Sequence, residues 1–286
     1  MGGNSSKHHE KNINTSITTE VQQPEVKKKY YIDEDLPIPK LDASSKLLND
    51  QYIKVINSYL PNDDFRKTWK LLFSSTRDGH SFNRFVHHVA DKGSTIVLVK
   101  EEGDKGHIFG GFAMEPWKPK YPKFYGTEKG FVFRLHPEIE VYRPTGADVN
   151  FQYLNTLSKT LYNGIGMGGV PYLFGWVIDE SFDQGHSKGT RDEDIEGGEE
   201  ISSTFGNPPL ASSSEFNVEY VECWQVKEDI VPDDDLLDDI VNKKKGKSVL
   251  STEENADKVI KSLLGHEFTH YNEDNESSKK RTEESR

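Results

Sequence analysis

Cysteine is nearly absent: Cys223 is the single one in 286 residues. One thiol excludes an intrachain disulfide, a cysteine zinc cluster and a CxxC redox pair, and it favours the cytosol. Long hydrophobic runs are also lacking. No stretch approaches the roughly 18 consecutive apolar residues of a membrane-spanning helix, and no apolar h-region marks a secretory signal. Basic charge is in short supply as well, with 36 Lys and Arg against 48 Asp and Glu for a net charge of −12, which speaks against nucleic acid as the main partner. Only 33% of residues are hydrophobic and the mean hydropathy is −0.76, the balance expected of a folded centre diluted by polar ends. The length still suffices for one large domain or two small ones with a proper core.

The polar ends carry two features. The chain opens "MGGNSSKHH", which fits M-G-x-x-x-[ST] with Gly2 as the N-myristoylation site and Ser6 at the hydroxyl position. One acyl chain gives marginal, reversible membrane binding, so Lys7, Lys11 and the cluster Lys27, Lys28 and Lys29 would have to add electrostatic help. Residues 1–40, ending in "DEDLPIPK", read as a flexible arm. At the other end, residues 228–250 form a charged linker. Ser251 and Glu254 then make a capping box, and Ala256, Val259, Ile260, Leu263 and Leu264 make an apolar stripe at helical spacing, stopped by Gly265. An amphipathic helix over 251–265 must bury that stripe on its own domain or in a partner groove, which makes Val259, Ile260, Leu263 and Leu264 the candidate partner-binding residues. Residues 266–286 read as a polar tail.

Between these ends, "SSKLLNDQYIKVINSYLP" predicts an amphipathic helix stopped by Pro61. The stretch "DDFRKTWKLLFSSTRDGHSFNRFVHHVADKG" predicts two further helices around a turn at Asp78 and Gly79, the second ending at Gly93. Short β runs follow: "TIVLVK", "GHIFGGFAM", "GFVFRL", "EIEVYR", "PYLFGWVID" and "FNVEYVECWQV". Turn residues separate them where a parallel sheet would need helical crossovers, so the reading is an α+β fold built on a two-sheet antiparallel β-sandwich flanked by helices. "FQYLNTLSKTLYNG" interrupts the strands as a helix-like segment, and residues 183–203 read as a mobile acidic surface loop.

Two motifs suggest chemistry and fail on context. "HEFTH", residues 266–270, spells the H-E-x-x-H of a zinc peptidase, in which two histidines one helical turn apart hold the metal beside a glutamate base. Here Gly265 interrupts the helix, and the positions three and six beyond His270 hold Glu273 and Glu276 where the metzincin extension has glycine and histidine. "GIGMGG" gives Gly164, Gly166 and Gly169 the spacing of a dinucleotide loop. That loop must leave a strand and open a helix, whereas here a strand follows, so a structural turn is the better reading. His87 and His88 read as surface or satisfied core histidines, and Cys223 as a buried, inert thiol. A hydrolytic or antioxidant enzyme and a structural component of a larger assembly stand as alternatives to an interaction protein.

The segments "WKLLFSSTRDGHSFNRF", "TIVLVK", "IFGGFAMEPW", "KFYGTEKGFVFRL", "VYRPTGADVNFQYLN", "GIGMGGVPYLFGWVIDESFDQGHS", "STFGNPPL" and "FNVEYVECWQV" together resemble the TLDc domain in order and spacing, from about Ser45 to Lys227. The resemblance implies a helix-flanked β-sandwich in a family tied to oxidative-stress resistance and to binding the vacuolar proton pump. It also implies no catalytic residue, metal or cofactor. Some such proteins, including a lysosome-associated myristoylated one linked to growth signalling, join an acyl glycine to this domain and touch the pump through a C-terminal helix. This chain resembles them at Gly2 and at residues 251–264, and departs from them in lacking a large N-terminal region. The expected partners are the V1 subunits of the vacuolar ATPase and, through a myristoyl group, the cytosolic face of a lysosomal or other endomembrane.

Overall fold

The computed structural model describes residues 2, 29–104, 106–119, 123–190 and 200–228. Strand β1 (Lys40–Leu41) is followed by helix α1 (Asp50–Tyr59), a 3-10 turn over Asp63–Arg66, strand β2 (Thr68–Ser74) and helices α2 (Ser75–Asp78) and α3 (Phe82–Val89). Then come β3 (Ser94–Glu101), β4 (Ile108–Ala113), β5 (Phe131–His136), β6 (Glu140–Tyr142), β7 (Tyr153–Asn155), β8 (Gly164–Val170), β9 (Leu173–Asp179), β10 (Gln184–His186) and β11 (Glu215–Lys227).

These strands make the expected two-sheet sandwich. The first sheet runs β6-β5-β4-β3-β11-β2-β1, antiparallel except for the parallel edge pair β1 and β2, and the second runs β11-β10-β9-β8-β7. Strand β11 belongs to both: Glu215, Phe216 and Asn217 pair with β10, and Val218 onward pairs with β3 and β2.

Burial on both faces dictates the composition of the central strand. In β3, Val97 and Val99 point into the core between the sheets, where Phe109, Val132, Val221 and Cys223 meet Ile165, Met167, Trp176 and Ile178. Ile96 and Leu98 point the other way, into a second core shared with Ile53, Ile56 and Leu60 of the α1 region. A strand covered on both sides reads as an unbroken apolar run. Helix α1 begins at Asn49, whose side chain accepts from the Tyr52 amide at 2.9 Å, and gives way before Pro61, where Leu60 is extended at ψ 147°. Helix α3 places Phe82, Phe85 and Val89 against one end of the inter-sheet core, with Phe85 edge-on to Phe73.

Several expectations are corrected. "TWKLLFS" is strand β2, not a helix: Trp69 and Leu71 face the α1 core, Leu72 and Phe73 the inter-sheet core, and a bulge opposite Cys223 and Trp224 breaks its period of two. Helix α3 ends at Val89, short of Gly93, while the turn at Gly79 stands where expected. "FQYLNTLSKTLYNG" is the short strand β7 and a loop, and "GIGMGG" is strand β8, not a turn. Part of the acidic loop is also ordered, since Gln184–His186 forms β10 between β9 and β11.

Packing also starts ahead of Ser45, in residues read as the end of a flexible arm. Tyr31 stacks on Tyr59 with ring centroids 4.6 Å apart and donates its hydroxyl to the Ser58 carbonyl at 2.6 Å. Lys29 reaches the buried Glu140 at 2.5 Å, and its carbonyl accepts from the Val141 amide. The linker and the helix expected over 228–265, including Val259, Ile260, Leu263 and Leu264, and the HEFTH histidines lie outside the described residues apart from Glu228.

Candidate functional surface

The polar groups that sequence alone puts forward for chemistry are not gathered into a site. Cys223 is fully buried, and burial pushes its thiol well above the usual range, against a weaker opposing hydrogen bond from Thr95. That thiol is a small apolar core group and a poor nucleophile. His87 is exposed, and His88 lies 3.9 Å from Asp78. Among the described residues no group of three or more His, Cys, Asp or Glu side chains is arranged to hold a metal ion. Gly2 is exposed, with nothing among the described residues within 4 Å of the place a Cβ would take.

Two surface features have the character of docking faces. The first is an open groove of about 480 Å³ where β11 passes from one sheet to the other, lined by Glu101, Glu102, Gln184, Gly185, Glu215 and Asn217 with Phe216 beside them. Its geometry follows from the crossover: β3 ends at Glu101 just where β11 changes partner from β10 to β3. Glu101 is buried and its carboxylate accepts from the Ser212 amide at 3.0 Å, the Ser212 hydroxyl and the His107 amide at 3.2 Å. Glu215 pairs with Lys188, and Glu102 is exposed at the rim. Carboxylates without a histidine, cysteine or serine among the lining residues suit a cationic partner and lack a nucleophile with its base.

The second face lies on the outside of the second sheet. There Tyr153, Phe174 and Val177 are buried beneath Phe124 and Tyr162, and the rings of Phe124, Tyr153 and Tyr162 all lie within 5.6 Å of Phe174. Tyr162 belongs to the loop 156–163, and its carbonyl accepts from the Tyr153 hydroxyl at 2.7 Å and the Asn155 amide at 3.1 Å. The same loop exposes Leu157 (85%) and Leu161 (40%), and it is tied to the β8–β9 turn by the Tyr172 hydroxyl, which donates to the Thr160 carbonyl at 3.1 Å with Tyr172 itself 56% exposed. Three large side chains with apolar surface left exposed around one loop and one hairpin tip make this a candidate contact face.

Neither face is visible along the chain. The groove joins residues from β3, β10 and β11, which lie far apart in the chain, and the apolar face depends on a loop that sequence periodicity reads as helix. Exposed Leu157 and Leu161, four apart, are the only local hint, and they mimic the spacing of a helical stripe.

These features define an antiparallel β-sandwich whose described surface offers an acidic groove and an apolar face for contact. Within that class the chain belongs to the TLDc domain family, whose model matches residues 41–227. MTOR-associated protein MEAK7 of Xenopus laevis is 38% identical over 180 residues, covering 63% of this chain and 36% of that protein. The human MEAK7 protein is 33% identical over 214 residues, 75% of this chain and 42% of its own length. Oxidation resistance protein 1 of Rattus norvegicus is 27% identical over 186 residues, 65% of this chain and 20% of its own. The chain thus aligns with between a fifth and about two fifths of the length of these relatives.

Proposed function

We propose that this TLDc protein is a non-enzymatic adaptor that binds the peripheral V1 part of the vacuolar ATPase and modulates its assembly or activity. It is held reversibly at the cytosolic face of a lysosomal or other endomembrane by an acyl group on Gly2, and its role lies in oxidative-stress resistance or lysosomal signalling. The observation that carries this reading is the TLDc match over residues 41–227, nearly all of the described sandwich. Relatives named as an mTOR-associated protein and as an oxidation resistance protein support a role exercised through protein partners. The acidic groove would meet a basic patch on a large complex, with charge setting rate and selectivity more than affinity.

The test is affinity capture from cell lysate with the Gly2-intact full chain and with a form truncated after Lys247, read by mass spectrometry with metal content measured on the same samples. V1 subunits recovered with the full chain, and no stoichiometric zinc, support the adaptor. Loss of those subunits on truncation assigns a contact to residues 251–264. Stoichiometric zinc that disappears with the tail, and no pump subunit, would replace this reading with a HEFTH peptidase.

A further inference from the structure

His186 stands at the centre of strand pairing in the second sheet, opposite Val177 on β9 and Glu215 on β11. The residue is 6% exposed. Tyr162 packs edge-on to its ring at 5.4 Å and 85°, and Phe174 lies 5.7 Å away. The Tyr172 backbone acts on the ring in favour of its charged form, while Nε2 is buried with no hydrogen-bond partner among the described residues. A neutral imidazole tolerates this arrangement, because its bare nitrogen needs no acceptor. A charged imidazolium has two N–H donors, and the one on Nε2 would be buried without an acceptor.

The charged and titratable groups around the ring do not remove that conflict. Lys188, two residues along the chain, is cationic and ion-paired to Glu215, the cross-strand neighbour. Asp179 at the end of β9 is the other carboxylate that acts on the ring, and Tyr162 and Tyr172 supply phenols from the covering loop and the hairpin turn. Burial, then Lys188, push the imidazole below its ordinary 6.5, outweighing Glu215, the Tyr172 backbone and Asp179. A histidine depressed in this way stabilises the fold fully above the unfolded value, and that contribution is lost as pH falls below it toward the folded value.

Tyr162 connects the ring to a segment with few anchors. The loop 156–163 is tied down by the bonds at the Tyr162 carbonyl, by Asn163 Nδ2 to Glu180 at 3.0 Å, by the Tyr172 hydroxyl to Thr160 and by Thr156 to the Pro119 carbonyl at 3.4 Å. Its remaining bonds, through Ser158 and Asn163, are internal.

We propose that His186 is a proton-operated latch: the neutral ring holds Tyr162 and the loop 156–163 on the outer face of the second sheet, and its protonation releases them and dismantles the contact face formed by Leu157, Leu161 and Tyr172. The proposal does not depend on the identity of the partner. It gives the apolar face a response to acidification between neutral pH and about pH 5, the interval in which histidine is the usual titrating side chain.

The test follows the imidazole resonances of the full chain by NMR across that interval, together with amide-exchange protection factors for residues 158–163. The expected result is that His186 titrates below the ordinary histidine value of 6.5, and that protection at 158–163 falls about tenfold or more as it does so, while protection in β3 is unchanged. In His186→Phe the protection at 158–163 should stay flat with pH. Titration of His186 at or above 6.5, a protection at 158–163 that ignores His186 titration, or a His186→Phe protein that keeps the wild-type pH response would each overturn the latch. Should His186→Phe not fold, the wild-type titration and exchange decide the matter alone.

Discussion

At the scale of single residues, the buried Glu222 shows how a carboxyl group is held inside by hydrogen bonds. It is fully buried on the α1 side of β11, and its carboxylate accepts from the Ser45 hydroxyl at 2.5 Å, the Lys46 amide at 2.8 Å and the Trp224 indole at 3.0 Å. Three donors replace the water it loses and pin the segment before α1 to the centre of the first sheet. Glu222→Gln keeps the shape but turns an amide NH₂ toward at least one of those donors. The expected cost is about 1–3 kcal/mol, read as a lower urea midpoint with an unchanged m-value. Sequence places Glu222 on a strand beside Cys223 and Trp224, but nothing local indicates that its partners come from Ser45 and Lys46.

Among the elements, the β8–β9 hairpin and the β6 edge carry the contrast between pattern and packing. Gly169 sits at φ +86°, and a Cβ there would come within 2.0 Å of the Leu173 carbonyl oxygen. Both the backbone and the space demand glycine, which is why a glycine-rich string that mimics a nucleotide loop is a strand. Gly169→Ala should destabilise the protein by more than about 1 kcal/mol in chemical denaturation, the strained-backbone term alone being of that order. At the β6 edge, Glu140 is buried among Lys29, Arg134 and Tyr142. Burial opposes its ionisation, but the hydrogen bonds from Lys29 and Tyr142 and the charges of Arg134 and Lys29 outweigh it and hold the carboxyl below its ordinary 4.5. Its contribution is therefore present above the unfolded value and lost as pH falls through the folded one. Unfolding free energy measured from about pH 6 down to pH 2 should drop less steeply below pH 4.5 in Glu140→Gln than in the wild type, and equal slopes would count against this coupling.

For the whole molecule, the long strand β11 is the organising feature, because it stitches the two sheets and opens the acidic groove at the point of crossing. If that groove receives a basic surface of V1, reversing charge at its rim should act on encounter. Glu102→Lys with Glu215→Lys is expected to slow association several-fold at low salt, with a smaller change at high salt, as read by binding kinetics against purified V1. Equal association rates at both ionic strengths would remove the groove from the binding surface and leave the apolar face around Leu157 to account for it.

The sandwich class, the stop of α1 at Pro61, the glycine turn at Gly79, the inert Cys223 and the family are legible in the sequence itself. The elements among these rest on local chemistry: a proline, a turn residue, or an alternation with one face in the core. Tertiary structure decided the rest. It made "TWKLLFS" a strand by burying both its faces, folded "TLSKTLYN" into a loop over Phe174, brought Glu101, Gln184 and Glu215 to one groove, and closed His186 beneath Tyr162. Those outcomes depend on which strands lie side by side, and that pairing is fixed by contacts between residues far apart in the chain, where periodicity carries no signal.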